Sequence, residues 1–216
     1  MPLFALGKEL VFPPVDLAEP DGLLAMGGDL STERLILAYR SGIFPWFDGD
    51  TPLWWCPDPR FVLYPPELKI SKSMKQVINR QAFSFSINQA FETVISHCKT
   101  SPRRDQQGTW ITNEVRAAYI NLHRLGFAHS AETWLNGELV GGCYGVRLGH
   151  VFFGESMFSK EANASKFAFI NYVQALQADN VQLIDCQVYT PHLESLGARM
   201  IERSSFISQL DVLIQP

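Results

Sequence analysis

The segment Val181 to Val188 reads as an apolar strand interrupted by two polar side chains. Side chains alternate along a strand, so Leu183, Asp185 and Gln187 share one face, with Asp185 and Gln187 about 7 Å apart at the backbone. Polar groups on an apolar strand need partners, and two readings are open. One is a buried hydrogen-bond network; the other is a carboxylate that takes or orients a proton with an amide beside it. Gly154-Glu155-Ser156-Met157-Phe158 places an acid and a hydroxyl at the end of a second apolar strand, where α/β folds expose functional groups. Glu155 is either a solvated strand end or a functional acid. The string is not a nucleophile elbow, because G-x-S-x-G requires Gly where Phe158 stands. Asn163-Ala164-Ser165-Lys166 is either a helix cap or a helix start receptive to anions.

Cations gather elsewhere. Lys69, Lys72 and Lys75 recur every three residues, Arg80 follows, and no acid lies between Leu68 and Phe91. Such a stripe is a solvated face or a contact for a nucleic-acid backbone, and Trp46, Trp54 and Trp55 nearby are core residues or stacking surfaces for bases. Cys56, Cys98, Cys143 and Cys186 lie more than 40 residues apart with no C-x-x-C pair, which predicts free thiols and neither a metal site nor a disulfide framework.

The elements that must position these residues follow from period and caps. Residues 11–29, rich in Pro, Gly and Asp, read as a structured loop. Ser31 caps a helix over 32–41, ended by Gly42. A helix over 71–80 carries the basic stripe, a strand covers 83–87, Asn88 caps a helix to about residue 97, and a charged loop spans 99–107. Thr112 caps a helix ending at Gly126, with Val115, Tyr119 and Leu122 on one face. From His129 the period becomes two. Strands 131–135 and 138–146 flank Asn136-Gly137, a type I′ hairpin signal, and a strand over 151–155 follows the turn at Leu148-Gly149. Asn163 caps a helix over 164–179 ahead of the strand 181–188. This order predicts an α+β or α/β domain from about residue 100 onward.

The chain has 216 residues, 46% hydrophobic and 19% charged, which suits one or two globular cores and excludes disordered, collagen-like and coiled-coil classes. No apolar run reaches the ~20 residues of a membrane helix and the first residues lack a signal-peptide pattern, so a soluble cytoplasmic protein, monomeric by default, is expected. Residues 1–130 carry 13 acids and 13 bases, whereas residues 131–216 carry 9 acids and 5 bases. The first half therefore tolerates a polyanion and the second suits a cation.

Several strings together resemble the leucyl/phenylalanyl-tRNA-protein transferase family of bacterial N-end-rule enzymes: Gly22 to Leu30 (GLLAMGGDL), Gly42 to Phe47 (GIFPWF), Trp54 to Arg60 (WWCPDPR), Gly108 to Thr112 (GTWIT), Gly154 to Ser159 (GESMFS), Asn163 to Lys166 (NASK) and Ile184 to Gln187 (IDCQ). The resemblance spans nearly the whole chain. It implies transfer of Leu or Phe, less often Met, from charged tRNA to an N-terminal Arg or Lys, marking the acceptor for degradation. It also implies a GNAT-like (acyl-CoA N-acyltransferase) domain over 63–216 behind a smaller α/β domain over 1–62. The family's proposed catalytic pair falls on Asp185 and Gln187, with Glu155 and Asp185 facing the acceptor peptide. Its donor pocket, for the aminoacyl side chain and terminal adenosine, falls on Trp46, Trp110, Tyr119, Cys143, Phe152, Gly154, Tyr172 and Ile184. Cys143 stands where the family has Met, and Tyr172 where it has Phe, which bears on donor preference. The basic stripe Lys69, Lys72, Lys75 and Arg80 is assigned to tRNA. No Gln or Arg is followed three residues later by Gly, so the pyrophosphate loop of CoA-dependent members is missing and no cofactor is expected. A CoA-dependent N-acyltransferase and a non-catalytic RNA-binding module are the alternatives.

Overall fold

The computed structural model describes residues 3–101 and 110–214. The chain runs β1 (Phe4–Leu6), β2 (Leu23–Gly27), α1 (Thr32–Arg40), β3 (Phe44–Pro45), β4 (Leu53–Trp55), β5 (Arg60–Leu63), α2 (Lys72–Asn79), β6 (Ser84–Ile87) and α3 (Phe91–Thr100). It continues as α4 (Asn113–Arg124), β7 (Ala128–Leu135), β8 (Glu138–Leu148), β9 (Val151–Ser159), α5 (Ala164–Ala178), β10 (Leu183–Gln187), α6 (Pro191–Glu194), β11 (Arg199–Ile201) and α7 (Arg203–Leu213). A small sheet has the order β1-β2-β4-β3, and a seven-stranded sheet the order β11-β5-β10-β9-β8-β7-β6.

The predicted hairpin is present, with Asn136 (φ 53°) and Gly137 (φ 82°) both in the left-handed region that a type I′ turn demands. Ser31 and Thr112 cap as predicted, accepting from the backbone N–H groups of Arg34 and Val115. Val115, Tyr119 and Leu122 are all buried. Two caps differ. Asn88 lies before α3 at φ 60°, where its amide oxygen accepts from Ser130 N at 2.9 Å. The backbone N–H of Ala90 at the helix start instead donates to Glu132 Oε1 at 3.4 Å, so a buried carboxylate from β7 serves the end of α3. Asn163 occupies the N-cap of α5 but bends to φ 69° and makes no capping bond with its side chain. The stretch 11–29 is not all loop, for Leu23–Gly27 pairs in parallel with β1 and antiparallel with β4. Of the predicted charged loop over 99–107, residues 102–107 lie outside the described residues.

Both faces of the large sheet are covered, which explains strands that read as nearly continuous apolar runs. Alternate residues serve opposite cores: Phe153 and Leu183 face α3, α4 and the small sheet, whereas Phe152 and Ile184 face α2 and α5. The first core runs without interruption into the small sheet through Leu24, Tyr39, Phe44 and Trp54. Trp54 is fully buried and donates its indole N–H to Gly27 O at 2.8 Å. Burying a large apolar side chain of this kind stabilises by about 1.5–3 kcal/mol. β5 belongs wholly to the large sheet, so a division at residue 62 passes through it, and the two sheets part between Trp55 and Arg60.

Candidate active site

β9 and β10 run parallel and pair only over Val151–Phe153 and Leu183–Asp185. β9 then continues to Ser159 while β10 turns away, and the strands splay. A cavity of ≈ 620 Å³ opens in the gap. Its walls come from β9 (Phe152, Gly154, Glu155, Met157), β10 (Ile184, Asp185, Gln187), β8 (Cys143), α5 (Phe169), the segment around α6 (Thr190, His192, Leu193) and the small sheet (Phe44, Trp46). The cavity is mostly apolar, with Glu155, Asp185 and Gln187 at the splayed strand ends, Ser165 on α5 and Thr190 and His192 around α6. A bare backbone at Gly154 keeps it wide, since a Cβ there would meet only Asp185 O, at 3.5 Å.

Glu155 reaches the cavity through a β-bulge. Tyr144 pairs with Ser156 and Gly145 with Gly154, which leaves Glu155 as the extra residue of β9. Bulges of this kind re-aim a side chain and collect next to active sites. The half-buried carboxylate accepts from Tyr39 OH at 2.7 Å, from Gln187 Nε2 at 2.8 Å and, at its other oxygen, from Tyr119 OH at 3.0 Å. The two phenols also touch each other. Burial pushes the Glu155 carboxyl up to about 7, against the pull of its three hydrogen bonds. Burial, and then the charge of Glu155, raises both phenols well above the usual tyrosine range. The triangle of Glu155, Tyr39 and Tyr119 has three contacts but only two hydroxyl protons, so it can accommodate a third proton on the carboxyl or release it.

Asp185 is held differently. Arg60 grips it at both oxygens, Nε to Oδ1 at 2.8 Å and Nη2 to Oδ2 at 2.7 Å, and both side chains are buried. The backbone N–H of Gln187 also donates to Oδ1, at 2.9 Å. Of the two readings of Asp185, this geometry is the buried hydrogen-bond network. Asp185 and Gln187 do meet on one side of β10, but through backbone and carboxylate, and the Gln187 amide points onward to Glu155.

Of the predicted donor-pocket residues, Trp46, Trp110, Cys143, Phe152, Gly154 and Ile184 line the cavity. Two stand behind the wall. Tyr119 supports Glu155, and Tyr172 packs edge-on against Phe152 with centroids 5.1 Å apart. Among the three neighbouring tryptophans, Trp46 sits at the mouth with 36% exposure beside the Trp55 ring, while Trp54 is core. Lys69, Lys72, Lys75 and Arg80 are all exposed. The backbone N–H of Lys69 bonds to Leu196 O just after α6, which ties the basic stripe to the segment that forms one cavity wall. Sequence reasoning missed Tyr39 and Arg60, which stand 116 and 125 residues from the carboxylates they serve. The string Trp54 to Arg60 was a signal for Arg60; nothing local marks Tyr39.

Comparison with known proteins now bears on this geometry. The leucyl/phenylalanyl-tRNA protein transferase family matches residues 62–211, and the N-terminal domain of that family matches residues 28–58. A leucyl/phenylalanyl-tRNA–protein transferase of Syntrophobacter fumaroxidans is 56% identical over 211 residues, covering 97% of this chain and 90% of that protein. One from Flavobacterium johnsoniae is 55% identical over 209 residues, covering 96% and 99%. Among solved structures, a GCN5-related N-acetyltransferase from Kribbella flavida overlaps 76% of this chain and 59% of its own at 9% identity, with a TM-score of 0.37, too loose to carry an argument. The antiparallel run β7-β8-β9, the crossover α5 and the parallel, splaying β10 form a mixed α+β fold. With matches of this extent over both sheets, the chain belongs to the leucyl/phenylalanyl-tRNA protein transferase family.

Proposed function

We propose that this protein transfers a leucyl, phenylalanyl or, less readily, methionyl group from its tRNA to the N-terminal Arg or Lys of an acceptor protein. It acts as a monomer in the cytoplasm and thereby marks the acceptor for degradation. The observation that carries this reading is the place of Glu155, hydrogen-bonded to Gln187 at the polar end of a mostly apolar cavity, where burial pushes its carboxyl up to about 7. The apolar wall of Cys143, Phe152, Met157, Phe169 and Ile184 suits an uncharged, apolar donor side chain, and Trp46 and Trp110 offer faces for the terminal adenine. Exposed Lys69, Lys72, Lys75 and Arg80 lead the tRNA backbone toward the α6 wall.

An aminoacyl ester is already activated, so attack by an amine needs orientation and proton handling above all. At pH 7 roughly a tenth of an α-amine is neutral. Gln187 and Glu155 receive the acceptor ammonium, and Glu155 takes its first proton. The neutral nitrogen then attacks the ester carbonyl, the C–N bond forms, and the C–O bond to the 3′ oxygen breaks. That oxygen leaves as a hydroxyl with the second nitrogen proton. Asp185 is neutralised by Arg60, so Glu155 is the carboxylate whose charge favours a cationic acceptor. The test mixes the protein with labelled Phe-tRNA and a peptide beginning with Arg, without ATP or CoA. Label passes to this peptide and not to one beginning with Glu. Binding of Phe-, Leu- and Met-tRNA with no transfer would leave an RNA-binding module instead.

A further inference from the structure

The end of β10 holds a backbone conformation that Gln187 does not adopt freely. Its φ is 64°, in the left-handed region, and the Val188 N–H donates to Cys186 O at 2.8 Å, closing a three-residue turn around it. The pairing of β10 with β5 slips at the same point. What holds this turn is a chain of contacts. Gln187 N–H is fixed on Asp185 Oδ1, and Asp185 cannot rotate because Arg60 occupies both its oxygens. Arg60 in turn lies between two aromatic faces, its Cζ 4.7 Å from the ring centres of Phe44 and Phe206. Phe44 comes from β3 of the small sheet and Phe206 from α7, so with Asp185 on β10 three elements converge on one guanidinium.

We propose that Arg60 is a positioning residue for aminoacyl transfer. By locking Asp185 it sets the left-handed turn at Gln187 and so keeps the Gln187 amide aimed at Glu155 when the acceptor amine arrives. The proposal rests on the reading of Gln187 and Glu155 as the amine site. Stability alone does not account for the arrangement. A buried ion pair stabilises a fold little better than apolar side chains of similar volume. Arg60 Nη1 also has no hydrogen-bond partner among the described residues, so the pair is not arranged to satisfy every donor. What a guanidinium supplies and an ammonium does not is the planar fork that fixes a carboxylate in rotation.

The experiment is a double-mutant cycle on the full chain, with Arg60→Lys and Gln187→Ala alone and together, read as kcat and KM at saturating Phe-tRNA and Arg-peptide. Arg60→Lys keeps the charge and loses the fork. It lowers kcat by roughly tenfold to a hundredfold with KM for Phe-tRNA within about twofold, and in the Gln187→Ala background it costs less than about twofold more. Should Arg60→Lys fail to fold, Phe206→Leu, which removes one of the two rings, takes its place in the same cycle. An unchanged kcat, or a loss of the same size with and without Gln187, overturns the proposal. Absence of transfer by the unmodified protein would instead overturn the transferase reading, so the two failures are separate.

Discussion

The ends of β9 and β10 each present a carboxylate to one cavity, half-buried at Glu155 and buried at Asp185, and the two are held in opposite ways. At β10, Asp185 meets a guanidinium and a backbone N–H, so its charge is matched and its oxygens are spent. At β9, Glu155 meets two phenols and an amide, neutral groups that share out too few protons, and burial lifts its carboxyl to about 7. The first environment freezes a shape; the second leaves a group poised to gain or lose a proton near neutral pH. On the proposed mechanism, the two acids of one cleft divide positioning from proton transfer.

The largest contrast lies in stability. Asp185→Ala leaves Arg60 buried and unpaired, and destabilises the protein by about 3–5 kcal/mol in urea unfolding. Glu155→Gln goes the other way as pH rises. Glu155 binds its proton more tightly folded, at about 7, than unfolded, in the usual carboxylate range. The stability tied to that proton is complete below about pH 4.3 and is lost as pH rises through 7. Between pH 5 and pH 8 the variant therefore gains on the order of 2 kcal/mol relative to the unmodified protein. Equal responses of the two variants to pH would erase the distinction between the sites.

Smaller effects sharpen it. Tyr39→Phe removes a hydrogen bond that holds the Glu155 carboxyl down, so the acid limb of the kcat profile moves to higher pH by up to about one unit and kcat falls roughly tenfold near pH 7. A limb that stays in place would detach the phenol from the carboxyl. The smallest changes lie outside the cavity. Lys72→Ala with Lys75→Ala weakens tRNA binding severalfold at low salt and lowers the slope of log affinity against log salt by about 2, while kcat at saturating tRNA holds. An unchanged slope would move the tRNA path away from α2.

The pattern of this site was legible in unequal parts. Periodicity and caps located α1, α2, α4, α5 and the strands β6 to β10 to within a few residues, because each carries its own signal over a short window. Sequence spacing also placed Asp185 and Gln187 on one face, and the family resemblance marked Glu155. What alternation could not show is which carboxylate has a cation. Arg60 and Tyr39 lie 125 and 116 residues from the carboxylates they meet, Arg60 delivered by the pairing of β5 with β10 and Tyr39 by the packing of α1 in the core that also holds Tyr119. Alternation therefore left both readings of Asp185 open, and its ion pair with Arg60 is what favours positioning. The strands β1 to β5 and β11 were unread for a simpler reason: most have two to four residues, too few for a period to register.

The most direct test of this division of labour is the pH dependence of kcat with saturating Phe-tRNA and Arg-peptide, for the unmodified protein and for Glu155→Gln. The account predicts that the unmodified protein gains activity through a midpoint near pH 7, and that Glu155→Gln loses that limb along with a factor of roughly 10²–10³ in kcat. A limb near pH 7 that persists in Glu155→Gln at close to full kcat would contradict it and return the proton to another group.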